Sequence, residues 1–142
     1  MTHFWLRSED RQDEFRTPIS PTGAQELLKK GFKVTVENCE KRIFKTSEYQ
    51  LKGCKIVKKG SWVSANEDTI IIGLKEINQD LALNHKHIMF AHAFKKQTDS
   101  VKILNNFKQN KGILYDLEYL KDKKGKRVAA FGYYAGYSGA FI

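Results

Sequence analysis

Apolar positions occur in short runs divided by polar, turn-forming stretches, and their spacing changes from strand-like to helix-like along the chain. Phe4 to Arg7 predicts a first strand, followed by a charged loop, Ser8 to Arg16. Ser20-Pro21 predicts a helix start, because Ser accepts orphan N–H groups and Pro suits the first helical position. Ala24, Leu27 and Leu28 form its apolar stripe, and Gly31 is a natural stop. Phe32 to Glu37 alternates with period two and predicts a strand. Thr46 to Leu51 predicts a short helix ending at Gly53, and Cys54 to Val57 a short strand. Thr69 to Leu74 and Ile88 to Ala91 are continuously apolar, the pattern of strands buried on both faces. Ser100 to Asn110 predicts a helix closed by Gly112, Ile113 to Leu117 a strand, and Val128 to Phe131 a last strand. This alternation predicts an α/β fold of the flavodoxin/Rossmann-like kind: three layers, a mainly parallel sheet with helices on both faces. From Tyr133 to Ile142 the pattern predicts an apolar helix with no stop signal. The expectation is therefore a chain truncated there, or one continuing into a partner, with an associating apolar face.

The length of 142 residues suits one domain. No run approaches the roughly 18 apolar residues of a membrane span. The first residues, Met1 to Arg7, lack the basic and apolar regions of a secretory signal. Composition is ordinary for a globular chain, with 41% hydrophobic and 29% charged residues. The net charge of +9 changes the picture, because it favours anionic ligands. No basic helix or aromatic-interleaved basic motif accompanies it, so nucleic acid is not the expected partner. Two cysteines, Cys39 and Cys54, are too few for a disulfide framework and are expected to be free thiols in a reducing cytoplasm.

Candidate chemistry follows the two most apolar strands. Gly73-Leu74-Lys75-Glu76 comes directly after one and Phe90-Ala91-His92-Ala93-Phe94-Lys95 directly after the other. Ligands of open α/β sheets bind outside the carboxyl ends of parallel strands. If these strands are neighbours, Lys75 and His92 share one crevice and can act as an acid–base couple. The alternative is that Lys75 ends a strand at the surface and His92 satisfies a backbone carbonyl. Arg16 and Arg127 carry guanidinium groups suited to carboxylates. As single arginines, both read as surface residues ahead of ligand residues. His85 and His87 are spaced for one face of a strand but lack a third ligand, so no metal site is expected. Gly132, Gly136 and Gly139 are spaced for close helix packing, not as G-x-G-x-x-G, and no phosphate loop or nucleophile elbow occurs.

Several stretches stand in order along nearly the whole chain: Leu6-Arg7-Ser8-Glu9 with Arg16-Thr17-Pro18, Gly31 to Glu37, Gly60-Ser61-Trp62, Ile70 to Glu76, Phe90-Ala91-His92 with Lys95 and Gln97, Leu114 to Glu118, and Arg127 to Tyr133. Together they resemble the amino-terminal portion of the saccharopine dehydrogenase family (NAD-dependent, lysine-forming). More distantly, they are similar to the amino-terminal domains of alanine dehydrogenase and proton-translocating transhydrogenase. The resemblance implies that residues 1–142 form a substrate-side domain without the NAD-binding Rossmann domain. It implies Lys75 as proton acceptor and His92 as proton donor. It puts Arg16, Gln97, Arg127 and Phe131 against saccharopine or its 2-oxoglutarate portion. Lys126 stands where the family usually has an arginine touching NAD; the charge remains and the fork is lost. Arg11 replaces a common lysine and Ala93 a common cysteine. The implied reaction converts saccharopine, NAD and water to lysine, 2-oxoglutarate and NADH, through an imine that is hydrated and collapses. The implied partners are these small molecules and a missing carboxy-terminal domain or partner chain, with activity absent from this chain alone. A non-catalytic amino-acid or oxo-acid-binding domain is the alternative.

Overall fold

The computed structural model describes residues 1–91 and 98–129. Among the described residues six strands, all parallel, form one sheet in the order β3-β2-β1-β4-β5-β6: β1 (His3–Leu6), β2 (Lys33–Glu37), β3 (Lys55–Val57), β4 (Ile70–Ile72), β5 (Lys86–Met89) and β6 (Ile113–Asp116). This order reverses direction between β1 and β4, which creates a topological switch point at their carboxyl ends. The register sets Leu6 beside Val36 on one side and Ile72 on the other, and Ile72 beside Ile88.

Alternation along the strands divides the core into two layers. On one face Leu6, Val34 and Val36 pack with Ala24, Tyr49 and Cys54 beneath α1 (Pro21–Lys29) and α2 (Thr46–Leu51). On the other, Ile71 and Met89 pack with Trp62, Ile77 and Leu83 and with Ile103 and Phe107 of α3 (Thr98–Gln109). The three-layer α/β expectation holds, and element boundaries lie within about two residues of those read from the pattern. α1 begins as expected: the Ser20 hydroxyl accepts from the Gly23 N–H at 3.0 Å, and Pro21 is the first helical residue. Its exit passes through Gly31 at φ 89°, a left-handed conformation that a Cβ would strain.

The strand expected over Phe32 to Glu37 is β2, and Thr35 and Glu37 are as buried as Val34 and Val36, because the sheet is covered on both faces. One expectation changes: Val128 and Ala129 do not form a strand. Asp122 and Gly125 fold the chain back, so that Lys121 and Arg127 form an antiparallel bridge and the Val128 N–H donates to the Leu120 carbonyl at 3.0 Å. Those backbone groups are therefore not available to the sheet edge. The expected helix from Tyr133 to Ile142 lies outside the described residues, as does Phe131. Among the described residues no helix is long and apolar enough to cross a membrane.

Candidate functional site

The carboxyl ends of β1, β4 and β5 open onto one edge of the sheet. β4 and β5 are parallel neighbours, and their pairing runs past the strand ends: the Gly73 N–H donates to the Ile88 carbonyl and the Phe90 N–H to the Leu74 carbonyl, both at 3.0 Å. Lys75 therefore leaves the sheet at this edge, next to the segment that follows β5. His92 and Gln97, which continue that segment, lie outside the described residues.

The charged loop after β1 folds over the loop after β4. The Asn78 N–H donates to the Asp10 carboxylate at 3.0 Å, and Arg11 pairs with Glu76 at 3.7 Å. Arg16 grips Glu14 as a fork: Nε meets Oε1 and Nη2 meets Oε2, each at 2.9 Å. This bond holds the Glu14 carboxyl below the ordinary carboxylate range, aided by the charge of Lys75, while burial opposes it. The same bond raises the Arg16 guanidinium. Arg16, Glu14 and Lys75 thus share one electrostatic neighbourhood.

Beside this edge runs an apolar groove of about 430 Å³. Ile72, Leu74, Ile88 and Phe90 form its floor, Pro18 and Ile19 one wall, and Leu117, Val128 and Ala129 the other. Floor residues alternate along the extended chains of β4 and β5, so all four point to the α1 face. Arg127 and Lys126 belong to the exposed turn before the second wall. The Lys126 N–H donates to the Asp122 carboxylate at 2.9 Å, and Arg127 reaches the Ala129 carbonyl at 3.5 Å. Arg127 is not itself among the residues that line the groove; it precedes two of them, Val128 and Ala129.

Buried polar residues that the pattern did not single out hold this edge together. Glu37, fully buried at the end of β2, accepts four N–H groups, from Ser8, Gly60 and Trp62 at 2.9 Å and the Trp5 indole at 3.1 Å. Four donors replace the water that a buried carboxylate loses. Glu9, also buried, accepts the Lys75 N–H at 2.7 Å and the Leu74 N–H at 3.1 Å. Arg7, buried beside it, pairs with Glu9 at 3.4 Å and donates to the Lys75 carbonyl. The signal in the sequence was an opposite-charge pair set directly after a buried strand, where an exposed loop would be expected to start.

His85 and His87 are both buried on the α3 face. The His85 Nε2 lies 2.9 Å from the Ala65 carbonyl, and both rings pack edge-on against Trp62. Burial first, then the charges of Arg7 and His85, push the His87 imidazole down to about 3. Among the described residues no group of three His, Cys, Asp or Glu side chains could hold a metal ion.

The residues after β1 do not fit a dinucleotide. A pyrophosphate needs a short glycine-rich turn with free N–H groups at a helix start. Here Arg7, Ser8 and Glu9 follow β1, and the Glu9 carboxylate takes up the nearby N–H groups of Leu74 and Lys75. α1 begins only at Pro21.

Comparison with known proteins sets this edge in context. The family described as "Alanine dehydrogenase/PNT, N-terminal domain" matches residues 5–138. The chain is 48% identical to the saccharopine dehydrogenase (NAD(+), L-lysine-forming) of Candida glabrata over 96% of its length, covering 37% of that protein. It is 44% identical to the protein of the same name from Schizosaccharomyces pombe over 99% of its length, covering 39% of it. The chain thus spans well under half the length of these curated relatives. A solved structure of an L-alanine dehydrogenase shares the fold, with a TM-score of 0.72 at 17% identity over 88% of this chain and 35% of that one.

Proposed function

From the premise that this chain belongs to the alanine dehydrogenase/PNT N-terminal domain family, we propose that residues 1–142 act as the substrate-side domain of a saccharopine dehydrogenase-type oxidoreductase of lysine metabolism. The one observation that carries the reading is the meeting of three segments at the switch point. Parallel neighbours β4 and β5 deliver Lys75 and the segment leading to His92 to one sheet edge, beside the carboxylate-gripping Arg16. The names of the curated relatives supply the reaction.

In this reading the chain's own residues move protons and hold carboxylates. Lys75 takes the proton of the substrate's secondary amine, and His92 serves hydration of the imine and its collapse to lysine and 2-oxoglutarate. Arg16, Gln97, Arg127 and Phe131 hold the glutarate portion. The Arg16 fork already holds one carboxylate, that of Glu14, in the two-bond geometry a substrate carboxylate would use. NAD is the oxidant of the proposed enzyme. With Arg7, Ser8 and Glu9 at the switch point, its main site belongs to other polypeptide, and Lys126 contributes one charge at most. Buried free thiols at Cys39 and Cys54 fit a reducing cytoplasm.

Calorimetry of the chain with 2-oxoglutarate tests this reading. Weak binding is expected. Arg16→Ala or Arg127→Ala should each weaken it by about 1.5–3 kcal/mol, the range for a hydrogen bond to a charged group. Arg16→Lys should also weaken it, since the fork is lost. No heat at millimolar ligand, or an equal loss from Lys123→Ala on the exposed turn, would refute it.

A further inference from the structure

We infer that Arg7 and Glu9 are positioning residues that fix the Lys75 backbone from two sides, an inference that rests on the reading of Lys75 as the base. The last backbone link between β1 and β4 is the Arg7 N–H to the Ile72 carbonyl, at 3.0 Å. Beyond it the two chains part, and the Leu74 and Lys75 N–H groups have no strand opposite them. The Glu9 carboxylate takes that place, with Oε1 at 2.7 Å from the Lys75 nitrogen and both oxygens at 3.1 Å from the Leu74 nitrogen. A side chain thus continues the ladder that the backbone has abandoned. Arg7 closes the opposite side: one guanidinium nitrogen donates to the Lys75 carbonyl, and the other pairs with Glu9 at 3.4 Å. Both backbone groups of Lys75 are therefore held by one buried ion pair, whose side chains are 1% and 6% exposed.

Gly73 is part of the same device. A Cβ there would stand 2.3 Å from the Arg7 Cζ, so only glycine lets the guanidinium lie across the β4 exit. The Arg7 guanidinium also rests 3.7 Å from the Met89 sulfur at the end of β5. One arginine therefore touches both strands that lead to the proposed acid–base pair. An ion pair buried this deeply adds little net stability over apolar packing. Its local consequence is a base whose backbone cannot drift relative to the neighbouring strand, the precision that proton transfer requires.

The test is amide hydrogen exchange in the 142-residue chain, with acetylation of Lys75 by acetic anhydride followed in the same samples. In Glu9→Ala the Leu74 and Lys75 amides should exchange roughly tenfold faster or more, each having lost a charge-assisted bond, while Val34 and Val36 keep their protection. The acetylation rate of Lys75 relative to Lys33 should change in step. Glu9→Gln, which keeps one acceptor oxygen, should restore part of both effects. If Glu9→Ala does not fold, Glu9→Gln and Gly73→Ala give the same comparison. Unchanged exchange at Leu74 and Lys75, or equal acceleration at Val34 and Val36, would overturn the clamp. Protection of Lys75 from acetylation by 2-oxoglutarate in the unaltered chain is scored separately. Its absence would count against the substrate-side reading, whatever the exchange data say about Glu9.

Discussion

His87 shows how far one residue's chemistry departs from its type. Its ring lies 5.2 Å from Trp62 and 5.4 Å from Phe107, and the charged imidazolium is disfavoured there. Its ordinary value is 6.5, and burial, reinforced by the Arg7 and His85 charges, lowers it to about 3. The sign of the linkage follows. Above 6.5 both folded and unfolded chains carry a neutral ring, and the full contribution is present. As pH falls from 6.5 towards 3, the unfolded chain takes up a proton that the folded one refuses. Stability should then drop by up to about 1.4 kcal/mol per pH unit from this residue alone. Urea unfolding at pH 7.5, 6 and 5 should show that decline, and His87→Phe should flatten it. Equal slopes for the two proteins would refute the assignment. The spacing of His85 and His87 was legible in the sequence. Their enclosure by Trp62 was not, because Trp62 arrives from a 3₁₀ turn (Ser61–Ser64) that no periodic pattern announced.

At the scale of elements, caps and strands were legible where a local rule governs them. Ser20 caps α1 through a bond spanning three residues, so the dipeptide Ser20-Pro21 sufficed to place the start. Ser20→Ala should cost about 1 kcal/mol in urea unfolding. The alternation of β2 placed the strand but not the burial of its polar side: the 3₁₀ turn and its flanking residues cover that side, and Glu37 becomes an anchor between three chain segments. Glu37→Leu leaves four N–H donors without an acceptor, and a loss on the order of 3 kcal/mol or more is expected. Glu37→Gln should cost less. A Glu37→Leu protein with the unaltered urea midpoint would show that the anchor carries no stability.

For the whole molecule, the arrangement after β1 bears on activity. A buried Glu9 stands where a dinucleotide fold places glycine-rich backbone, so the proposal expects this chain alone to give no saccharopine-dependent NADH formation. A spectrophotometric assay of the purified chain, free of any partner, checks it, and measurable turnover would refute it. The sequence by itself determined the order of the six described strands and three described helices, the mainly parallel class and the two apolar strands followed by Lys75 and His92. Each of those depends on neighbours a few residues apart, where period, caps and turns act. Only the tertiary structure decided that Arg7, Glu9 and Glu37 are buried and what they hold. Glu9 meets Leu74 across 65 positions of sequence, and that meeting exists because β1 lies between β2 and β4. Strand order is chosen by the packing of the entire sheet, and a charged residue's local pattern is the same whether water or a distant N–H group satisfies it.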